Sequence, residues 1–355
     1  MDKTLGKYGF KLSDYDFNLP EYLIAQKPAN LRDQSKLLVY DHKKDSITHT
    51  YFYDIAKYFT KEDLLILNNS KVIPARLFGV KENGGQIDVV LVEELSQGIN
   101  FLEILVMTKF SKLKIGYKII FTDKLTAIFL GRQGDYAVLR FNLPKYPFYE
   151  EAIKCGKMPL PPYIKREADE ADEARYQTIY AEHDGSIAAP TAGLHFTDTV
   201  FKKIEAKQTM VDYVTLHVGM GTFKPIKTDN INEHKMLAEE YQISQKLANK
   251  LKSGEKRVTV VGTTSTRTVE SFFKTGKLSD KTNMYIFPGH EFFINRLITN
   301  FHVPHSTPLM LVAAFLVNAF EGDIPLGVKT FKRLYQEAIR SEYRFYSYGD
   351  SMFII

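Results

Sequence analysis

ARLFGVKENGGQIDVVLVEEL (75–95) decides how the rest of the chain divides. Two largely apolar runs flank Asn83, Gly84 and Gly85, residue types that accept the positive φ of a tight hairpin turn. FLEILVM (101–107), YKIIF (117–121), LTAIFL (125–130) and YAVLRF (136–141) follow, punctuated by Gly116, Thr122–Asp123 and residues 131–135. Six short strands with no helix among them predict a small antiparallel β-barrel or sandwich over residues 76–147.

The segments on either side have a different character. Before the hairpin, LLVYD (37–41) and DLLILNN (63–69) read as strands, with short helices expected near 21–25 and 53–59. After Pro147, helices and strands alternate: helices over 148–155, 197–207, 245–252, 264–274 and 328–341, and strands over 211–216, 258–263 and 351–355. LMLVAAFLV (309–317), behind Pro308, reads as a buried helix, well short of the roughly 20 apolar residues that a membrane span needs. The fold class expected is therefore α/β: one discontinuous α/β domain, built from 1–75 and 148–355, with the small antiparallel β-barrel inserted as 76–147.

Composition narrows the function classes. The 355 residues are 44% hydrophobic and 25% charged, with 25 Phe, 21 Tyr and no Trp, the balance of a globular chain with ample core. A net charge of +5 permits an RNA partner without demanding one. The single cysteine, Cys155, excludes an internal disulfide and any multi-cysteine zinc site. MDKTLGKYGF carries no signal-peptide core, so a cytoplasmic, membrane-free protein is expected.

Chemistry-bearing residues gather at predicted strand tips. The Walker pattern and a strand-linked GxGxxG are absent, which argues against common nucleotide and methyltransferase loops. TLHVGMGTF (215–223) places His217, Gly219, Gly221 and Thr222 after a strand, where backbone can approach a ligand closely. AAPTAGLHFTDTVF (188–201) sets Thr191, Gly193 and His195 before a helix N-terminus, with Asp184 upstream to orient or balance the imidazole. In GTTSTRTVES (262–271), Thr263 caps a helix, while Arg267 and Glu270 on its first turns suit the two ends of an α-amino acid, or else pair with each other. SEYRFYSYGDSMFI (341–354) supplies Arg344, Tyr348 and Asp350 among aromatic faces that tolerate a cation. No metal site is expected, because the His302/His305 pair lacks a third ligand nearby. Each residue also has an ordinary reading as turn, cap, core or solvated surface.

Eight blocks, in order, make the chain resemble the S-adenosylmethionine:tRNA ribosyltransferase-isomerases of queuosine biosynthesis. They are 19–41, LNNSKVIPARLFG (67–79), MPLPPYIKR (158–166), RYQTIYAEHDGSIAAPTAGLHFT (175–197), HVGMGTFKPI (217–226), VGTTSTRTVES (261–271), LITNFHVPHSTPLMLVAAF (297–315) and the terminal run. Met220, Asp88 and Pro308 depart from the family's usual residues. The resemblance implies an α/β domain carrying an inserted barrel. It also implies transfer and isomerisation of the ribosyl group of S-adenosylmethionine onto 7-aminomethyl-7-deazaguanine at the tRNA wobble position, giving epoxyqueuosine with adenine and methionine released. S-adenosyl-L-methionine is then a substrate, tRNA the macromolecular partner, and neither a metal nor a protein partner is implied.

Such a reaction needs a base for the proton beside the sulfonium, a dry enclosure and charge partners. His195 or His217 is the expected base, with Asp184, Glu270 and Asp350 as charge partners and glycine-bearing strand tips enclosing the sulfonium. Arg76, Lys109, Lys165 and Arg166 are the expected phosphate contacts for tRNA. Two rivals predict other products: a methyl- or aminopropyl-transferase leaves adenine on its ribose, and a non-catalytic RNA reader turns over no donor.

Overall fold

Asp63–Asn68, with all six residues buried, is the strand around which the larger part of the molecule assembles. Leu64 and Ile66 point into one apolar core, Leu65 and Leu67 into another. A strand buried on both faces belongs in the interior of a sheet covered by helices on each side. The computed structural model describes residues 9–109, 113–166, 168–219, 221 and 224–355. It divides into two compact units. The first takes the chain up to Lys71, then Arg175–His183 and Ala189–Ile355; the second takes Val72–Ala174 and Asp184–Ala188.

In the first unit a nine-stranded sheet runs in the order Ser279–Thr282, Glu239–Ile243, Met210–Leu216, Asp63–Asn68, Arg257–Val261, Arg296–Asn300, Ser351–Ile354, Lys36–Asp41, Ser46–Tyr51. Met210–Leu216, Asp63–Asn68, Arg257–Val261 and Arg296–Asn300 are mutually parallel, so all four carboxyl ends meet at one edge. One face is covered by apolar side chains from the helices Gln245–Ser253, Thr307–Ala319 and Ile324–Arg340. The other is covered by Phe52, Ile55, Phe196, Val200 and Ile204. Thr307–Ala319 is the buried helix expected behind Pro308; Ser306 caps it by accepting from the Leu309 amide. Gly262, at φ +84°, turns the strand Arg257–Val261 directly into the helix Gly262–Thr275, a backbone state that needs the missing Cβ. Among the described residues no helix is long and apolar enough to cross a membrane.

In the second unit Arg76–Lys81, Gln86–Gly98, Phe101–Met107, Lys118–Ile120, Thr126–Gln133 and Tyr136–Phe141 pair antiparallel with two neighbours each and close into a ring. The helix Lys145–Cys155 follows it.

Several local expectations differ from what forms. Residues 21–23 and 52–58 wind as 3-10 turns rather than α-helices. Four further strands, Ser46–Tyr51, Glu239–Ile243, Ser279–Thr282 and Arg296–Asn300, join the sheet. Ser46–Tyr51 is mostly exposed and polar at the outer edge, so its composition carries no alternating apolar signal.

The start of the central strand is locked by charge. Asp63, fully buried, accepts from Arg257 (Nε 2.7 Å, Nη2 3.0 Å), from Arg296 Nη1 at 3.0 Å and from the Thr60 amide at 2.7 Å. Burial alone would raise its pKa, but the bonds from Arg257 and Thr60 and the Arg296 charge outweigh burial and hold it below the usual carboxylate range. Its stabilisation is therefore complete above the unfolded carboxylate value, about 3.9, and is lost as pH falls through the lower folded value. Asp63→Asn, which leaves two guanidiniums without their counter-charge, is expected to cost about 3–5 kcal/mol in denaturant unfolding at neutral pH. A loss under about 1 kcal/mol would show that the triad is not needed.

Candidate functional site

At the shared carboxyl edge, the strands end in side chains that satisfy one another. All four hydrogen-bonding positions of the Asn68 amide are used. Oδ1 accepts from the Ser70 and Leu216 amides, each at 3.1 Å, and Nδ2 donates to Leu216 O at 2.9 Å and Thr264 Oγ1 at 3.2 Å. Next to it, Asn69 Oδ1 accepts from Thr215 Oγ1 at 2.7 Å. His217, half-buried, has Nδ1 2.8 Å from Ser70 Oγ. The tips of three segments, around residues 68, 216 and 264, are thus stitched together by one buried asparagine; the first of them was read in the sequence only as a buried strand ending in a polar turn.

His195 lies beside the same edge, at the end of the turn Thr191–His195, and is buried. Its Nδ1 is 2.7 Å from Ser35 Oγ, and its Nε2 is 3.1 Å from Asn300 Nδ2. Thr191 Oγ1 donates to Asn300 Oδ1 at 3.2 Å, which orients the amide so that its NH2 faces the ring. Ser35 Oγ donates onward to Arg32 O at 3.3 Å. These donors leave one consistent tautomer, with the proton on Nδ1 and the lone pair on Nε2 received by Asn300. Burial lowers the pKa to about 4, against a favourable pull from Asp350. Asp184 takes no part in holding this ring: it is exposed, in the second unit, and both ring nitrogens are already bonded elsewhere.

Arg267 and Glu270 do not pair with each other; each has partners of its own. Arg267, buried, is bonded to Glu239 through Nη1 and donates to Met284 O at 2.9 Å and Thr282 O at 3.2 Å. Glu239 Oε1 in turn accepts from the Gly219 amide at 2.8 Å, so the 219 and 267 segments are joined through a carboxylate the sequence reading passed over. Glu270, also buried, meets His290 Nε2 at 3.2 Å and the Phe293 amide at 3.0 Å.

Two of the three site glycines are closely packed. A Cβ on Gly193 would lie 2.0 Å from Tyr180 Oη, and one on Gly221 3.1 Å from Leu237 Cδ1. Thr222 lies outside the described residues.

Two hollows are lined by described residues of the first unit. One hollow, of about 290 Å³ with its mouth included, is lined by Thr263, Thr264, Arg267, Met236, Ile286 and Leu311, among others. A second, of about 260 Å³ with its mouth included, is lined by His195, Arg344 and Tyr348, which the sequence singled out, and by Arg32, Ser35 and Arg175, which it did not. Asp350, buried, shapes this second hollow by accepting from the Lys36 amide at 3.0 Å, the Arg344 amide at 2.8 Å and Arg344 Nη2 at 3.0 Å.

In the second unit, two of the expected phosphate contacts are committed to carboxylates. Arg76 forks onto Asp88, with Nη2 to Oδ2 at 2.6 Å, and Arg166 onto buried Asp172 at 2.6 and 2.8 Å. Both are neutralised, which removes most of their attraction for a phosphate. Lys109 and Lys165 are exposed. Among the described residues no group of three or more His, Cys, Asp or Glu could hold a metal ion.

Comparison with known proteins completes the picture. The family model described as "Queuosine biosynthesis protein" matches residues 12–354. A protein of Sulfurihydrogenibium sp. named S-adenosylmethionine:tRNA ribosyltransferase-isomerase is 42% identical over 97% of this chain and 100% of its own length. One of the same name from Thermosipho melanesiensis is 43% identical over 97% and 99%. The crystal structure of an S-adenosylmethionine tRNA ribosyltransferase from Thermotoga maritima matches with a TM-score of 0.53 at 32% identity, covering 96% of this chain and 100% of that one. A match that runs from residue 12 to residue 354, through every strand tip described above, leaves one assignment: the chain belongs to the queuosine biosynthesis protein family.

Proposed function

We propose that the chain is an S-adenosylmethionine:tRNA ribosyltransferase-isomerase. It transfers and isomerises the ribosyl group of S-adenosylmethionine onto 7-aminomethyl-7-deazaguanine at the tRNA wobble position, with adenine and methionine leaving and epoxyqueuosine formed. The observation that carries this reading is identity above 40%, over nearly full length, to proteins bearing that name. The six-stranded ring is read as a small barrel domain inserted at 76–147 between the two parts of the α/β domain.

The sulfonium acidifies the adjacent 5′ carbon, so proton removal there opens the sequence. Adenine departs as the ribose opens, the tRNA amine attacks, and epoxide closure expels methionine. Of the two histidines, His217 is the better base. His195 is poorly basic, at about 4, and its lone pair is received by Asn300, whereas a general base works best near the operating pH. His195 instead positions Asn300 and, through it, Thr191. The hollow beside Thr263, Thr264 and Arg267 suits the methionine end of the donor. The start of the helix Gly262–Thr275 would suit its carboxylate, and Met236, Ile286 and Leu311 would give its methylene arm an apolar wall.

His217→Ala is expected to lower the rate of adenine release by roughly 10²–10⁴-fold when assayed with S-adenosylmethionine and deazaguanine-containing tRNA. Near-wild-type turnover would remove His217 as the base. For His195, an imidazole ¹⁵N titration should show the Nδ1–H tautomer persisting to acid pH, with a midpoint near 4 instead of the ordinary 6.5. Because the folded value is depressed, the neutral ring's contribution to stability is complete above 6.5 and declines as pH falls toward 4. A midpoint at or above 6.5 contradicts this account.

A further inference from the structure

Glu239 opens the strand Glu239–Ile243 and is buried, with its carboxylate divided between two site segments. Oε1 accepts from the Gly219 amide at 2.8 Å, and Oε2 meets Arg267 Nη1. Next along the strand, Glu240 O accepts from the His217 amide at 3.0 Å. The strand therefore grips the segment carrying His217 twice, once through its backbone and once through the Glu239 side chain. The backbone bond holds His217 at one point; the bond to Gly219 fixes the direction in which the chain leaves it. Ser70 Oγ, 2.8 Å from Nδ1, orients the ring itself.

Arg267 extends the same joint to the hollow assigned to the donor. It lines that hollow with Met236, Thr264 and Ile286, and it donates to Met284 O at 2.9 Å and Thr282 O at 3.2 Å. Met236 belongs to the approach to Glu239, and Ile286 follows the two carbonyls that Arg267 holds. Walls of the hollow and the His217 segment thus meet at one buried carboxylate–guanidinium pair. Stability is a weak reason for such a pair, because packed apolar side chains of similar volume often serve as well or better. What apolar side chains could not supply is two directed bonds, to Gly219 and to Arg267, at a fixed separation.

From these contacts we infer that Glu239 is a positioning residue, holding His217 in place against a donor seated beside Arg267; this rests on the reading above of His217 as base and of the hollow as the donor's seat. Base and donor belong to different segments of the chain, and proton removal tolerates little displacement between them. A misplacement of about 1 Å can cost about 10²-fold in rate. Glu239 acts through others, with Gly219 on one side and Arg267 on the other. Shortening it by one methylene leaves it unable to reach both partners at once, and replacing its second oxygen leaves one acceptor for two donors.

The test measures adenine release from S-adenosylmethionine with deazaguanine-containing tRNA, counted per donor-binding site so that unfolded protein does not enter the rate. Glu239→Asp and Glu239→Gln are both expected to lower kcat about 10–100-fold, with the KM for S-adenosylmethionine within about twofold of wild type. The KM is expected to hold because Arg267 keeps its bonds to the Met284 and Thr282 carbonyls. In the free protein, the His217 imidazole ¹⁵N resonances are expected to move in both variants while those of His195 stay. Wild-type kcat in Glu239→Asp would overturn the assignment, since the charge alone would then suffice. Unchanged kcat per site in both variants, with lowered melting temperatures, would overturn it in favour of a purely structural pair, as would loss of all donor-binding sites in both. A raised KM with kcat unchanged would overturn it in favour of a role in donor binding alone. Wild-type protein that releases no adenine would defeat the reaction proposed above. The His217 resonances need no turnover and still decide whether Glu239 places that ring, so the two failures are distinguishable.

Discussion

Parallel strands ending at one edge must satisfy their last backbone groups without further strand partners; here buried Asn68 does so for Ser70 and Leu216, while buried Asn300 braces neighbouring side chains. Asn68 uses its whole amide to tie Ser70, Leu216 and Thr264 together, so the ends of two strands and the start of a helix are held by one side chain. Asn300, at the end of a third strand, links Thr191 to His195. An unpaired buried amide would cost about 1–3 kcal/mol, so full pairing makes this edge rigid as well as polar. The carboxyl edge of an open α/β sheet is where ligands bind, and the asparagines make that edge a platform.

Rigidity at the edge sorts the histidines and the arginines by role. His195, enclosed between Ser35 and Asn300, is kept neutral by burial; His217 is half-buried beside Ser70. Arg267 is neutralised by Glu239 and ties the 219 segment to the helix Gly262–Thr275. Arg344 is paired with buried Asp350, while Arg175 is held by the Ala29 and Asn30 carbonyls.

Local features were legible in the sequence wherever they rest on neighbouring residues. The six strands of the ring could be read because each is an apolar run bounded by turn residues. The helix Thr307–Ala319 could be read because Pro308 begins an unbroken apolar stretch. GTTSTRTVES was expected at the junction of a strand and a helix, and Gly262 does follow the strand Arg257–Val261 and open a helix. What escaped were partnerships between distant positions: Arg32 with the Leu194 carbonyl, Ser35 with His195, Arg267 with Glu239, and Asn300 with His195. No composition or period encodes such pairs. The one local hint, paired Asn68–Asn69 closing an apolar strand, reads equally well as a polar turn. The strand Ser351–Ile354 likewise sits in the interior of the sheet, between Arg296–Asn300 and Lys36–Asp41, which only the three-dimensional order reveals.

The central claim is that the reaction takes place on the asparagine-braced edge of the α/β unit. A crystal structure with S-adenosylmethionine bound tests it most directly. The sulfonium and ribose should lie over the tips of Met210–Leu216, Asp63–Asn68 and Arg257–Val261, with polar contacts to Thr264 or His217. A donor seated instead against the six-stranded ring, with that edge untouched, would contradict the account.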